Sequence, residues 1–269
     1  MFKTRLISGI ILMAITITVM LLGGNVLFGV LLVVSLIGMM ELYKIAGINK
    51  ELPGILGYIT AVTFYFLIYL NKTQHNMLLF IAFLMLLLFA YVIRFPKYTI
   101  EQIAIAFFAL FYVGVMLSYI YQIRGLEDGA LIIWLVFIGS WGSDTCAYCI
   151  GMLFGKHKVT PKLSPKKSLE GCIAGVVGAA LIAFIYAICI KGQLRELSNP
   201  QLILPIIAAA SSVLSQMGDL AASAIKRNHN IKDYSNLIPG HGGILDRFDS
   251  IIVTAPIVYY LALILKYYL

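Results

Sequence analysis

Two carboxylates stand where carboxylates are costly. Asp144 interrupts Gly139-Ser-Trp-Gly-Ser-Asp-Thr-Cys-Ala-Tyr148, and Asp219 interrupts Ser215-Gln-Met-Gly-Asp-Leu-Ala-Ala-Ser223, each within a largely apolar stretch. An acid at mid-bilayer costs about 3 kcal/mol or more unless it faces a cavity, a partner or a cation, so such residues default to function. Ser140 and Tyr148 flank Asp144 at four-residue spacing, and Ser215 and Ser223 do the same for Asp219. Each acid therefore sits on a polar helix face. A further pair, Asp246-Arg-Phe-Asp249, precedes the last apolar run. Spacing of three puts both carboxylates on one helical face and directs Arg247 elsewhere. Acidic oxygens converging from different helices suit a hard cation such as Mg²⁺. Such an ion bridges nucleotide phosphates and offsets charge in an in-line displacement. Alone, Asp-x-x-Asp at a helix start is more often a charge complement to the helix N-terminus.

The neighbouring residues shift that weighting. Upstream stand Lys226-Arg227, Lys232-Asp233 and Pro239-Gly-His-Gly-Gly243. Gly242 and Gly243 carry no Cβ, so their backbone N–H groups can approach an anion closely and the chain can take positive φ. A basic pair, a glycine turn and an acidic pair together suit a metal-bound polyphosphate. His241 could donate a proton, donate a hydrogen bond to phosphate, or cap the loop. A second basic segment reads Lys162-Leu-Ser-Pro-Lys166-Lys167-Ser168-Leu-Glu170-Gly171. Ser168 or Lys167 begins the next helix there, with Glu170 in its first turn and the two lysines beside an anion-binding helix end. The plainer alternative is a solvated basic loop near anionic lipid. The four cysteines all lie in apolar stretches and suggest neither a disulfide framework nor a zinc site.

The elements that must position these residues are membrane helices. Of 269 residues 61% are apolar and 12% charged, and the mean hydropathy is +0.95, which excludes a water-soluble globule and a disordered tail. The net charge of +8 is better explained by loops facing an anionic leaflet, or by a polyanionic substrate, than by nucleic acid. Residues 6–40 carry no charge. As one helix they would run about 52 Å against a hydrocarbon core of about 30 Å, so Gly23-Gly24-Asn25 is the natural break. The first run is read as a membrane helix and not as a signal peptide, because it lacks a small-residue cleavage site. Further spans are expected near 53–70, 76–93, 100–123, 130–154, 170–190, 201–225 and 246–268, giving an all-α polytopic protein of nine transmembrane helices. With a cytoplasmic N-terminus, only Lys72, Arg124, Lys191, Arg195 and Lys266 of the 20 Lys and Arg fall on the far side. That asymmetry supports both the orientation and the odd helix count. Residues 1–125 are expected to be scaffold and dimer contacts with almost no chemistry. Residues 126–269 are expected to be catalytic, with cytoplasmic loops 155–169 and 226–245.

The segment Ser223-x-x-Lys226-Arg227-x4-Lys232-Asp233-x-Ser235-x-x-Ile238-Pro239-x-His241-Gly242-Gly243-Ile244-x-Asp246-Arg247-Phe248-Asp249 resembles the signature of the phosphatidate cytidylyltransferase (CDP-diacylglycerol synthase) family. Ser164-Pro-Lys-Lys-Ser168-Leu-Glu170-Gly171 is similar to a second family segment, in which Thr usually stands at the position of Ser168. Asp144-Thr-Cys-Ala-Tyr148, with Gly151 and Phe154-Gly-Lys156, resembles a third. The resemblance implies an integral inner-membrane enzyme that faces the cytoplasm and converts CTP and phosphatidate to CDP-diacylglycerol and pyrophosphate. It implies Mg²⁺ dependence, a potassium ion beside the magnesium, and a homodimer. Carried over, Asp219, Asp246 and Asp249 would form the cation centre and Asp144 would line the same cavity. Lys226, Arg227, Lys166 and Lys167 would face phosphates. Ser168, Ser223, Gly242, Gly243 and Arg247 would complete the nucleotide site, with His241 nearby.

The expected reaction is in-line attack of a phosphatidate oxygen on the α-phosphorus of CTP. A phosphate monoester is already anionic near neutral pH, so no strong general base is required. Two other readings use the same acids. A cation-coupled transporter would more typically show inverted repeats, which are absent here. A CTP-dependent lipid-alcohol kinase would release CDP in place of pyrophosphate.

Overall fold

A computed structural model describes residues 2–161, 163–195 and 197–268, with side chains from residue 5 to residue 266. Lys162 and the side chain of Lys3, both counted above with the majority of cations, lie outside the described residues. Among those described, nine helices are long and apolar enough to cross a membrane. They are α1 (Arg5–Leu22), α2 (Gly24–Ile45), α3 (Leu52–Tyr69), α4 (Thr73–Ile93), α5 (Ile100–Arg124), α6 (Gly129–Phe154), α7 (Leu169–Gln193), α8 (Pro200–Asn228) and α9 (Leu245–Lys266). The protein is an all-α polytopic membrane protein. α1 and α2 part at Gly23, whose φ of 60° is left-handed backbone that glycine takes without steric cost.

Two boundaries differ from those expected. Lys226 and Arg227 do not open a loop; they form the last turn of α8, which runs on to Asn228. Cations there complement the negative end of the helix dipole. The segment 155–169 is not simply a loop either. Lys158–Thr160 (β1) pairs antiparallel with Ser164–Ser168 (β2), Lys158 opposite Ser168 and Thr160 opposite Ser164.

The chain forms two compact units. The first comprises residues 1–118 and 233–247, so the segment rich in signature residues packs with the N-terminal helices. Its core holds Leu27, Leu31, Met39, Tyr43, Tyr65, Phe83 and Leu87, all fully buried. Tyr43 fits because Gly54 and Gly57 of α3 leave room; a Cβ at Gly57 would collide with its hydroxyl. That hydroxyl donates to the Ala106 carbonyl at 2.9 Å.

The second unit comprises residues 119–232 and 248–269. Here α7 presents a buried stripe of small residues, Gly171, Gly175, Ala179, Ala183 and Ala187, at a spacing of four. Small side chains on one face let neighbouring helix backbones approach closely. A Cβ on Gly175 would stand 2.9 Å from Ser143 Oγ and 3.1 Å from Gln216 Nε2. This close approach brings the stretches of α6 and α8 that carry Asp144 and Asp219 against the start of α7.

Candidate active site

In the second unit, α6 widens into a single π-type turn over Ile138–Gly142, immediately before Asp144. Such turns re-aim the residues that follow them and occur often at functional sites. The following residue, Ser143, is buried and shares a 2.6 Å hydrogen bond with Ser212 of α8, which anchors the turn. Asp144 itself accepts no hydrogen bond among the described residues and opens onto a cavity of about 680 Å³. Lys158 of β1 and Lys166, Lys167 and Ser168 of β2 line the same cavity, with Tyr148 of α6 and Gln216 of α8.

Each lining residue is held for a local reason. Ser168 is the N-cap of α7, its hydroxyl accepting the Gly171 N–H at 3.2 Å. That satisfies one of the amides a helix start leaves open. Glu170 lies in the first turn as expected and reaches back to the amides of Lys156 and His157 and to His157 Nδ1, the last at 2.6 Å. It thereby ties the hairpin to the helix. Lys167 Nζ lies 2.6 Å from Asp219 Oδ2 and donates to the Gln216 carbonyl at 3.3 Å. Gln216 Nε2 in turn donates to the Cys172 carbonyl at 3.1 Å.

Gly218 lets α9 close on α8 beside Asp219, since a Cβ there would stand 2.9 Å from the Asp249 carbonyl. The Asp249 carboxylate accepts the Ser250 N–H at 2.7 Å and lies within electrostatic range of Asp219, Asp144 and Lys226. Asp144 is within range of Asp219 and Lys167. Three carboxylates thus share one neighbourhood with two lysines. Among the described residues, no group of three or more His, Cys, Asp or Glu side chains is placed to hold a metal ion as it stands.

In the first unit, residues 233–247 form a segment in which the amides of Tyr234, Gly243, Ile244 and Leu245 are taken up by the protein's own acids. Asp246 Oδ2 accepts the N–H of Tyr234 at 2.8 Å and of Gly243 at 2.9 Å. Glu41, fully buried on α2, accepts the Ser235 hydroxyl at 2.6 Å and the amides of Ile244 at 3.0 Å and Leu245 at 2.9 Å. Gly242 has φ of 83°, and a Cβ at Gly243 would collide with the Glu41 carboxylate. His241 Nδ1 lies 2.8 Å from Ser8 Oγ, which donates in addition to the Pro239 carbonyl.

Residues 3–265 match the model of the cytidylyltransferase family. The chain belongs to that family. It is 31% identical over 269 residues to a phosphatidate cytidylyltransferase of Bacillus subtilis, an alignment covering 96% of this chain and 97% of that one. A phosphatidate cytidylyltransferase of Staphylococcus haemolyticus is 31% identical over 258 residues, covering 95% and 96%. One from Thermotoga maritima is 35% identical over 172 residues, covering 64% and 63%. The protein is a nucleotidyltransferase.

In this cytidylyltransferase the expected site residues fall into two groups. Asp144, Lys166, Lys167 and Ser168 share the cavity, Asp219 joins them through Lys167, and Asp249 lies within electrostatic range of both Asp219 and Lys226. Ser223 follows one turn along α8, half-buried. Arg227 is exposed, and its Nη1 donates to the Ile231 carbonyl at 3.4 Å. Asp246, His241, Gly242, Gly243 and Arg247 belong to the other unit. There the Gly243 amide serves Asp246, an acid of the chain itself, where the sequence suggested a ligand anion. The buried Nε of Arg247 has no hydrogen-bond partner among the described residues.

Sequence reasoning missed Glu41, Gln216, Lys158 and Ser8. Glu41 holds residues 235–245 in place through three hydrogen bonds. It ends an otherwise uncharged run from Leu6, and that position was the only available signal.

Proposed function

We propose that this cytidylyltransferase uses CTP and phosphatidate, forming CDP-diacylglycerol and pyrophosphate. A phosphatidate phosphate oxygen attacks the α-phosphorus of CTP in line; the new P–O bond forms as the bond to the β-phosphate oxygen breaks, and pyrophosphate leaves. The observation that carries this reading is the cavity in which Lys158, Lys166 and Lys167 meet Asp144, within helices apolar enough to cross a membrane. The names of the curated relatives agree with it.

The lysines bind and orient phosphate oxygens, placing positive charge where the leaving pyrophosphate gathers negative charge. Lys166 is exposed to the cavity and free to meet a ligand, whereas Lys167 approaches it from an existing ion pair with Asp219. Tyr148 and Met152, at 69% and 66% exposure, offer an apolar flank for a lipid tail. Asp144, Asp219 and Asp249 would hold Mg²⁺, a fit supported by their all-oxygen chemistry and by the unpartnered carboxylate of Asp144. The ion would supply charge neutralisation of the nucleotide phosphates. Asp246 keeps the 233–247 segment in shape through the Tyr234 and Gly243 amides. The enzyme sits in the bacterial inner membrane as a homodimer, with its N-terminus and active site cytoplasmic; the positive-inside asymmetry supports that orientation.

The test supplies purified protein with phosphatidate and CTP labelled at the α-phosphate. Label entering the lipid phase with matching pyrophosphate release is the expected result. Release of CDP with an unlabelled lipid would indicate terminal-phosphate transfer and overturn the proposal.

A further inference from the structure

Gln216 lines the cavity that holds Asp144, yet it brings neither a charge for a phosphate nor a carboxylate for a cation. Two hydrogen bonds fix it in place on α8. Its backbone carbonyl accepts Lys167 Nζ at 3.3 Å, and its side-chain Nε2 donates to the Cys172 carbonyl of α7 at 3.1 Å. A carbonyl can only accept, so the amide nitrogen must lie toward Cys172 and the amide cannot turn over. The amide oxygen, Oε1, accepts no hydrogen bond among the described residues. Unlike the hydroxyl of the preceding Ser215, which is buried without a partner, Oε1 is not sealed in the packing. The cavity therefore contains a neutral acceptor of fixed orientation.

The other polar groups of the cavity have different uses. Lys158, Lys166 and Lys167 suit phosphates, and Asp144 suits a cation. Ser168 caps α7. The hydroxyls of Ser164 and Tyr148 can rotate to donate or to accept, so neither separates an amine from a carbonyl. Oε1 of Gln216 does separate them. It holds an N–H, but opposite a carbonyl oxygen it leaves two acceptors with no hydrogen between them. Cytosine and uracil differ at that point, cytosine presenting its N4 amine where uracil presents the O4 carbonyl. Polar groups left unpaired in a closed site are a strong means of rejecting a near-identical substrate.

We propose that Gln216 selects the base: its Oε1 accepts the N4 amine of CTP while its Nε2 stays on Cys172. This rests on the cytidylyl-transfer reading and adds to it how the nucleotide is chosen. Lys167 couples the two tasks, because the ammonium that meets Asp219 also holds the Gln216 carbonyl. The base is thus read one turn along α8 from a carboxylate of the proposed cation centre. Gly175 keeps room for the amide, since a Cβ there would stand 3.1 Å from Nε2.

The test gives purified full-length protein phosphatidate with CTP, with UTP, or with the triphosphate of pyrimidin-2-one riboside, which lacks the amine. Pyrophosphate release and nucleotide-linked lipid are both measured. The unmodified protein should prefer CTP to each of the others in kcat/KM. Gln216→Met, which keeps the side-chain volume, should lower the preference for CTP over UTP about tenfold or more, through KM for CTP, and should use CTP no better than the amine-free analogue. Gln216→Glu retains an acceptor oxygen and should keep the preference for CTP. An unchanged preference in Gln216→Met, or an equal loss with all three nucleotides, would overturn the proposal. So would an unmodified protein that uses UTP as well as CTP. No nucleotide-linked lipid from the unmodified protein with any of the three would instead overturn the cytidylyl-transfer reading itself, and this inference with it.

Discussion

The ammonium of Lys167 lies 2.6 Å from the carboxylate of Asp219, joining the end of a two-stranded hairpin to the middle of a membrane helix. The two side chains are 20% and 33% exposed, so the pair is neither a surface contact nor fully buried. Lys167→Gln is expected to cost about 1–2 kcal/mol of stability, between the exposed and buried limits. It should lower kcat by about a hundredfold through the loss of one fixed positive group at the phosphates. Asp219→Asn should lower activity at least as far, and the double variant should be less impaired than the two effects summed. Additive losses in a double-mutant cycle would mean that the pair does not act as a unit.

The proposed cation centre makes a separate prediction. Chelation should abolish turnover, and Mg²⁺ should restore it. Asp249→Asn should raise the half-saturating Mg²⁺ concentration by about tenfold or more, as expected when one charged oxygen ligand is lost. Titration of initial rates with Mg²⁺ checks this. A curve identical to that of the unmodified protein would remove Asp249 from the centre.

Glu41 receives three donors from residues about 200 positions away. Glu41→Ala would strand the Ile244 and Leu245 amides and the Ser235 hydroxyl in a buried site. The expected loss is about 3 kcal/mol, seen as a lower midpoint of thermal unfolding in detergent, with turnover lost in parallel. Gly243→Ala should do similar damage by pushing a Cβ into the same carboxylate. An alanine at position 41 with an unchanged unfolding midpoint would show that the network does not hold the segment.

Two glycines in the widened turn before Asp144 should behave differently. A Cβ at Gly139 would collide with Ser211 Oγ, whereas at Gly142 the nearest atom is the flexible Ile182 Cδ1 at 3.4 Å. Gly139→Ala is expected to cost about 1–3 kcal/mol by overpacking, and Ser211→Gly in the same chain should recover much of it. Gly142→Ala should be nearly neutral. Thermal unfolding of the three variants decides the point.

At the membrane surface, the hydrogen bond from Lys97 to Glu51, then that from Tyr98, holds the Glu51 carboxyl below its usual range, and the same bond holds the Lys97 ammonium above its own. A lowered carboxylate contributes stability above its ordinary pKa and loses it as pH falls through the lowered value. A raised lysine contributes below its ordinary pKa and loses it as pH rises through the raised one. The unfolding midpoint should therefore lose this contribution at acid pH below about 4 and again at strongly alkaline pH. Glu51→Gln should flatten both limbs. An unaltered pH profile in that variant would sink the assignment.

The nine spans and their breaks were legible in the chain itself, because hydropathy and helix punctuation are properties of neighbouring residues. Gly23 could be read as a break from length alone, and Ser168 as a cap from its place before an apolar run. The acids Asp144 and Asp219 could be picked out because a carboxylate in hydrocarbon needs a reason. What faces each of them could not be read in this way. Lys167 meets Asp219 because the hairpin folds its strand back onto α8, and strands of three and five residues leave too short a pattern to recognise. Asp246 and Asp249 share a spacing that suggested one role. In the fold Asp246 accepts the amides of Tyr234 and Gly243, and Asp249 lies within electrostatic range of Asp219. Glu41 drew no expectation from its neighbours in the chain; only packing brings it to Ile244 and Leu245. Local sequence determines which segments enter the membrane, since each residue pays its own transfer cost. Which buried polar group satisfies which other is decided only in the tertiary structure, where helices distant in the chain come within hydrogen-bonding reach.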